Sequence, residues 1–346
     1  MNTKLKVLAL SASVLAGLAT APAHAFVYGG SRLFVNNLVI APTAAIGSSV
    51  FTFTTTNTAV LNGAGALTGG TCTGVPLGAN NCGPVGARVS SLAANAPGSD
   101  PAAFRGSQIY KFFGPIPPLQ FSNATSSIDR AEVTGDGPTF TRQIAESELT
   151  SGASASASSL IQSVTNFSFS FTVMAPGSLS LSFSANPDQF AQIAELLSGA
   201  FSAQSNMSAI FTLQQNTGGT QKAVWTPSGT AANDCVSTGV SSGGVALTCT
   251  ETADGENLNS LVATTVNNTS ASASHEPDPG IFSLFGINIG GLQAGEYSLT
   301  LAATTSTQLS RLVSLKTPEP GTLLLLGAGL AGLGLRAKRR QKKQAA

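Results

Sequence analysis

The chain has 346 residues, of which 10% are charged and 42% hydrophobic, with a formal net charge of +1. A disordered chain would combine low hydrophobicity with high net charge, and a helical bundle would need far more Glu, Lys, Arg and Leu, so both classes are excluded. The near-zero charge reflects two basic ends. Between Phe26 and Lys316 nine Lys/Arg face fifteen Asp/Glu, a net of −6, which disfavours a nucleic-acid or anionic-membrane partner for the body.

In chain order, residues 1–25 read as a secretory signal helix. Lys4 and Lys6 supply the charged start, Val7–Thr20 the apolar stretch, and Ala23-His24-Ala25 the small-residue cleavage site, so signal peptidase is expected to leave Phe26 as the first residue. Phe51-Thr52-Phe53-Thr54 alternates with period two. Cys72 and Cys82 stand ten apart in a Gly/Asn/Pro-rich stretch, and Thr141–Leu149 reads as a short helix. Ser151–Ser159 is low-complexity and reads as a surface connection.

Phe167–Val173 puts three Phe and a Val on one face, and Leu179–Phe183 repeats the alternation after Met174-Ala175-Pro176-Gly177. The pair reads as a β-hairpin. One packed helix is expected from Asn186: Asn186 caps it, Pro187 opens its first turn, and Phe190, Ile193, Ala194 and Leu197 form a helical stripe ended by Gly199. Ala209–Leu213 and Lys222–Trp225 flank the Gly-containing stretch 214–221 as a second hairpin, and Tyr297–Leu301 is the last expected strand. No fixed-period repeat is seen. The expected fold is mainly β, an antiparallel sandwich or jelly-roll with one short helix, over residues 26–316.

Four cysteines in an exported chain predict two local disulfides, Cys72–Cys82 and Cys235–Cys249; neither pair has the C-x₂-C spacing of a zinc knuckle. The candidates for chemistry are sparse. His275 is the one histidine after residue 25, in a Pro/Gly-flanked stretch that reads as a solvated loop, and no Gly-x-Ser-x-Gly elbow accompanies it. Glu146 with Glu148, and Asp254 with Glu256, are carboxylate pairs near in sequence, read as solvated acids rather than a glycosidase pair. Asp254-Gly255-Glu256-Asn257 and Gly135-Asp136-Gly137 carry hard oxygen ligands but lack the spacing of a calcium loop. No catalytic residue, metal site or cofactor is expected.

The segment 317–346 is the most specific. Thr317-Pro318-Glu319-Pro320-Gly321 precedes the Gly-containing apolar run Leu323–Leu335, which reads as a short hydrophobic helix, and then Arg336-Ala337-Lys338-Arg339-Arg340. Prolines on both sides of Glu319 deny it a helical role, and the basic cluster would be held on the cytoplasmic side, leaving the body outside. Pro318-Glu319-Pro320, the short span and the basic tail together resemble a PEP-CTERM sorting signal. The resemblance implies an exported protein of a Gram-negative, biofilm-forming bacterium. It would be held transiently in the inner membrane, processed by an exosortase near Pro318-Glu319-Pro320, and passed to the cell surface or extracellular matrix. The function expected on that basis is a non-enzymatic structural or adhesive component of an exopolysaccharide layer, with exopolysaccharide as a partner. A secreted carbohydrate-binding module or hydrolase on a β-sandwich is the alternative.

Overall fold

The computed structural model describes residues 26–74, 82–90, 94–95, 121–130, 140–150, 155–162, 167–194, 199–267, 271–275 and 281–313. The chain divides into two compact units, Met1–Leu312 and Val313–Ala346, and the description concerns the first. Its strands in chain order are β1 (Phe26–Pro42), β2 (Ile46–Leu61), β3 (Ala64–Gly74), β4 (Cys82–Ser90), β5 (Ala94–Asn95), β6 (Phe121–Arg130), β7 (Phe140–Thr150), β8 (Ala155–Gln162) and β9 (Phe167–Val173). There follow β10 (Gly177–Ala194), β11 (Gly199–Gln215), β12 (Lys222–Trp225), β13 (Cys235–Thr238), β14 (Thr248–Asp254), β15 (Leu261–Asn267), β16 (Ala271–His275), β17 (Ser283–Leu292) and β18 (Gly295–Val313).

They form two antiparallel sheets packed as a sandwich. The first runs β14-β17-β10-β1-β7-β6-β4-β5, with β16 also on β10; the second runs β13-β12-β11-β18-β8-β2-β3, with β15 on β11 and β9 between β18 and β2. Alternation decides which face is inside. On β9 Phe167, Phe169, Phe171 and Val173 are buried and the intervening residues are half-exposed. Two clusters fill the interior. The larger holds Phe51, Phe53, Phe167, Phe183, Trp225 and Phe285, with Phe183 stacked on Phe285 at 4.9 Å between centroids. The smaller sets Ala59, Ala124, Ala145, Ala191 and Ala203 among larger residues such as Val27, Phe201 and Leu309.

The sandwich agrees with the sequence expectation, and so does the Ala209–Leu213/Lys222–Trp225 hairpin, in which Phe211 opposes Trp225. Tyr297–Leu301 is part of a strand that continues to Val313. Four expectations are corrected. The expected helix from Asn186 is strand up to Ala194: Asn186 opposes Phe34 and Ile193 opposes Val27. Pro187 is tolerated because it falls after β17 stops at Ala185 and before β16 begins at Gln189, where a missing N–H costs no ladder bond on that side. Thr141–Leu149 is likewise strand, paired to β1 and β6. Within the expected connection 151–159, residues from Ala155 onward are strand, zipped to β18 and β2.

The fourth correction concerns the expected hairpin Phe167–Val173/Leu179–Phe183. β9 pairs with β18 and β2 while β10 pairs with β1 and β17, so the two strands lie in opposite sheets. Met174–Gly177 is therefore a corner between sheets. It runs beside the other crossing, from β1 to β2: Met174 N donates to Ala45 O at 2.8 Å, and Thr43 N donates to Ser178 O at 2.9 Å. A Cβ at Gly177 would stand 2.6 Å from Ala44 Cα, so the two corners pack this closely only with glycine there.

Candidate functional site

The most concentrated set of polar chemistry lies where the two sheets end side by side. β13 is the edge of the second sheet and β14 the edge of the first. The disulfide Cys235–Cys249 joins them, with Cα atoms 5.6 Å apart, as the sequence predicts. Asn233 reinforces the link: its Nδ2 donates to Cys249 O at 3.0 Å, and its Oδ1 accepts from Glu251 N at 3.0 Å. Pairing β13 against β14 in this way brings Asp234, one residue before Cys235, beside Glu251, two residues after Cys249.

Asp234, Glu251 and Asp254 each offer a carboxylate oxygen, all within 4.8 Å of one another, and form the one group of this kind among the described residues. A depression of about 350 Å³ opens beside them, lined by Gly229, Thr230, Asn233, Glu251 and Asp254. Most of these oxygens are committed. Trp225 Nε1 donates to Glu251 Oε1, and Asp234 N donates to Glu251 Oε2 at 3.2 Å. Ser228 Oγ donates to Asp234 Oδ2, and Asp254 Oδ2 accepts from Ser228 N at 2.9 Å and Gly229 N at 2.7 Å. Burial holds the Glu251 carboxyl above its ordinary value, opposed by the Trp225 hydrogen bond; burial likewise raises Asp254, opposed by the Gly229 and Ser228 amides. The chemistry open to such a set is to hold a divalent cation through hard oxygens. What the geometry shows is that the acids order the 226–234 loop against the sheet edge.

The remaining sequence candidates are scattered. Glu256 does not join Asp254 in that group; its Oε2 lies 3.8 Å from His275 Nε2, each side chain about 30% exposed. His275 is not in a loop: it ends β16, opposite Gln189. Glu146 and Glu148 are not solvated. They are 3% and 6% exposed on one face of β7, where Tyr28 Oη donates to Glu146 Oε1 at 2.8 Å. The same face carries a buried ion pair missed in the sequence, Arg32 to Asp188 at 2.8 Å, with Arg32 also donating to Asn186 Oδ1 at 3.1 Å. Register explains it, since Arg32 directly opposes Asp188.

Cys72 and Cys82 lie on β3 and β4, but their side chains are outside the described residues, as are Gly135-Asp136-Gly137, Ala23, Ala25 and Pro318-Glu319-Pro320. The backbone of Phe26 opens β1, opposite Ala194 and Thr150. No helix among the described residues is long and apolar enough to cross a membrane, and the run Leu323–Leu335 is not among them.

Comparison with known proteins bears on one segment. Residues 316–340 match the family description of the PEP-CTERM protein-sorting motif. No curated protein and no solved structure matches the chain. The motif marks an exported protein sorted by an exosortase, first membrane-anchored and then delivered to the surface or the extracellular space.

Proposed function

We propose that this PEP-CTERM protein is a non-enzymatic structural or adhesive component of an exopolysaccharide or biofilm layer. The observation that carries the reading is the sorting motif at 316–340, placed directly after a body built of antiparallel sheets. The Cys235–Cys249 bond supports it, because such bonds persist in oxidising compartments. Signal peptidase would release the body after Ala25, exosortase would act near Pro318-Glu319-Pro320, and the run Leu323–Leu335 with Arg336–Arg340 would hold the precursor in the inner membrane meanwhile.

Two comparisons test this. Changing Pro318, Glu319 and Pro320 to Ala is expected to leave the body folded and disulfide-bonded while trapping it in the inner membrane with its tail attached. Fractionation and intact-mass analysis in an exosortase-containing host read that out, and identical processing of the two forms would remove the motif as the signal. Deleting the protein is expected to weaken the cohesion of the matrix, and a His275→Ala form should restore it fully. If His275→Ala fails to restore cohesion while folding normally, the non-enzymatic reading gives way to a hydrolase.

A further inference from the structure

The outward face of the second sheet is chemically unusual. Every outward position of β2 from 52 to 58 is Thr, and β9 presents Ser168, Ser170 and Thr172. Register aligns these positions into rows across three strands: Thr52, Ser168 and Thr300 form a row of hydroxyls, and in the next Ser170 stands between Val50 and Ser298. The outward positions of β18 from 298 to 310 and of β11 from 200 to 214 continue the pattern with Ser, Thr, Asn, Gln, Ala and Ile, and carry no charge. The body holds fifteen acids and nine bases, yet none of them stands on these four strands' outward positions until Glu296, at one end.

At that end the face is concave. A depression of about 350 Å³ is lined by Ser48, Val50, Ser170, Thr172, Asn216 and Glu296, with Phe171 and Tyr297 beneath it. Hydroxyls that both donate and accept, one amide and one carboxylate are the groups that orient a polyol. Strands about 4.8 Å apart, with outward residues every ~6.8 Å along each, give a two-dimensional lattice of hydroxyls on which a regular polymer can repeat its contacts. Many weak contacts on one chain then add by avidity.

We infer that this face is a docking surface for a neutral polysaccharide, anchored at the Ser48–Asn216–Glu296 depression and running along the rows of β2, β9 and β18. The inference rests on the matrix reading above and gives it a site and a ligand class. Charge sets the class: a body of net −6 repels an acidic polymer, and the exposed apolar side chains on this face, Val50 on β2 and Ile210 on β11, stand singly with β9 and β18 between them, so no contiguous apolar patch is offered to a membrane.

The test uses the exported protein purified from its own cells and the matrix polysaccharide of those cells, separated into neutral and acidic fractions. Wild type is expected to bind the neutral fraction at least tenfold more tightly than the acidic one. Ser170→Glu with Thr300→Glu should lower that affinity at least tenfold, and Asn216→Ala, outside every strand, at least threefold. Ser182→Glu with Asn288→Glu, on the outward face of the first sheet, should change it less than twofold. A cooperative thermal transition and an intact Cys235–Cys249 bond confirm folding of each variant. Binding that survives both second-sheet variants overturns the assignment of the face and leaves the matrix reading standing. Preference for the acidic fraction, or loss of self-association instead of polysaccharide binding, overturns the ligand class. If wild type binds neither fraction the inference falls, and the cohesion of the deletion strain then decides the matrix reading separately.

Discussion

The two halves of the sandwich interior are held together by different means. In one, rings fill the gap: Phe183 packs against Phe285, Phe211 and Trp225 with centroids 4.9 to 5.9 Å apart. In the other, alanines and glycines let the sheets approach until backbone is in reach, and hydrogen bonds cross between them. Ser205 Oγ donates to Gly30 O at 2.5 Å and Ser31 Oγ to Asn206 O at 3.1 Å; Ser147 and Thr307 share a 2.9 Å bond. Gln189 Nε2 donates to Ser205 O and Ser260 O at 3.2 and 3.0 Å. Non-directional ring burial supplies the larger free energy, while directional bonds between small residues fix the position of one sheet on the other.

The sharpest break of this contrast is Phe183→Ala. Removing a fully enclosed ring from the aromatic half is expected to cost about 3–5 kcal/mol in denaturant unfolding, with the sheet order unchanged. A cost below about 1 kcal/mol would mean that the rings are not what holds that half. The close half should fail in the opposite direction, by enlargement. A Cβ at Gly29 would already stand 3.1 Å from Gln204 O and from Leu309 Cδ2, so Gly29→Val is expected to destabilise by about 1–3 kcal/mol through overpacking.

The smallest effect belongs to the sheet edge outside both halves. Burial raises Asp254 above its ordinary 3.8, so the folded protein keeps that proton to higher pH than the unfolded chain. Its contribution is therefore full below the ordinary value and is lost as pH rises through the raised one. Asp254→Asn keeps an oxygen for the Ser228 and Gly229 amides and removes a charge beside Asp234 and Glu251. The fall in thermal stability on raising pH above about 4 should become shallower, with Glu251, raised in the same sense, supplying what remains. An unchanged slope would show that Asp254 does not titrate with folding.

The same division explains what could be read from the sequence. The strands of the aromatic half announce themselves, because Phe and Leu alternate with Ser and Thr along β9 and the start of β10. In the close half the inward residues of β7 before Leu149 are Thr141, Gln143, Ala145 and Ser147, and those of β10 from Gln189 to Ile193 begin with Gln189 and Ala191, too small or polar to show a period of two. The outward Glu146 and Glu148 are buried as well, so the usual contrast of apolar inside and polar outside disappears and the pattern fits a helical stripe equally well. One local signal was available: Asn62-Gly63, both with positive φ, form the two-residue turn from β2 to β3. At the acidic edge, Asp254 was visible but its partners were not. Asp234 and Glu251 meet because Cys235 and Cys249 are bonded, so the predicted disulfide implies the approach of that pair but not that Asp254 joins it.

The position of β18 has a mechanical consequence. This 19-residue strand lies inside the second sheet, paired to β8 and β9 along one side and neighbouring β11 on the other. The chain leaves it at Val313, just before the sorting motif. A pull transmitted through that exit along the strand loads the ladders on both sides in shear, all bonds at once, whereas a pull across the strand would peel them one at a time. A body tethered there resists tension along its longest central strand.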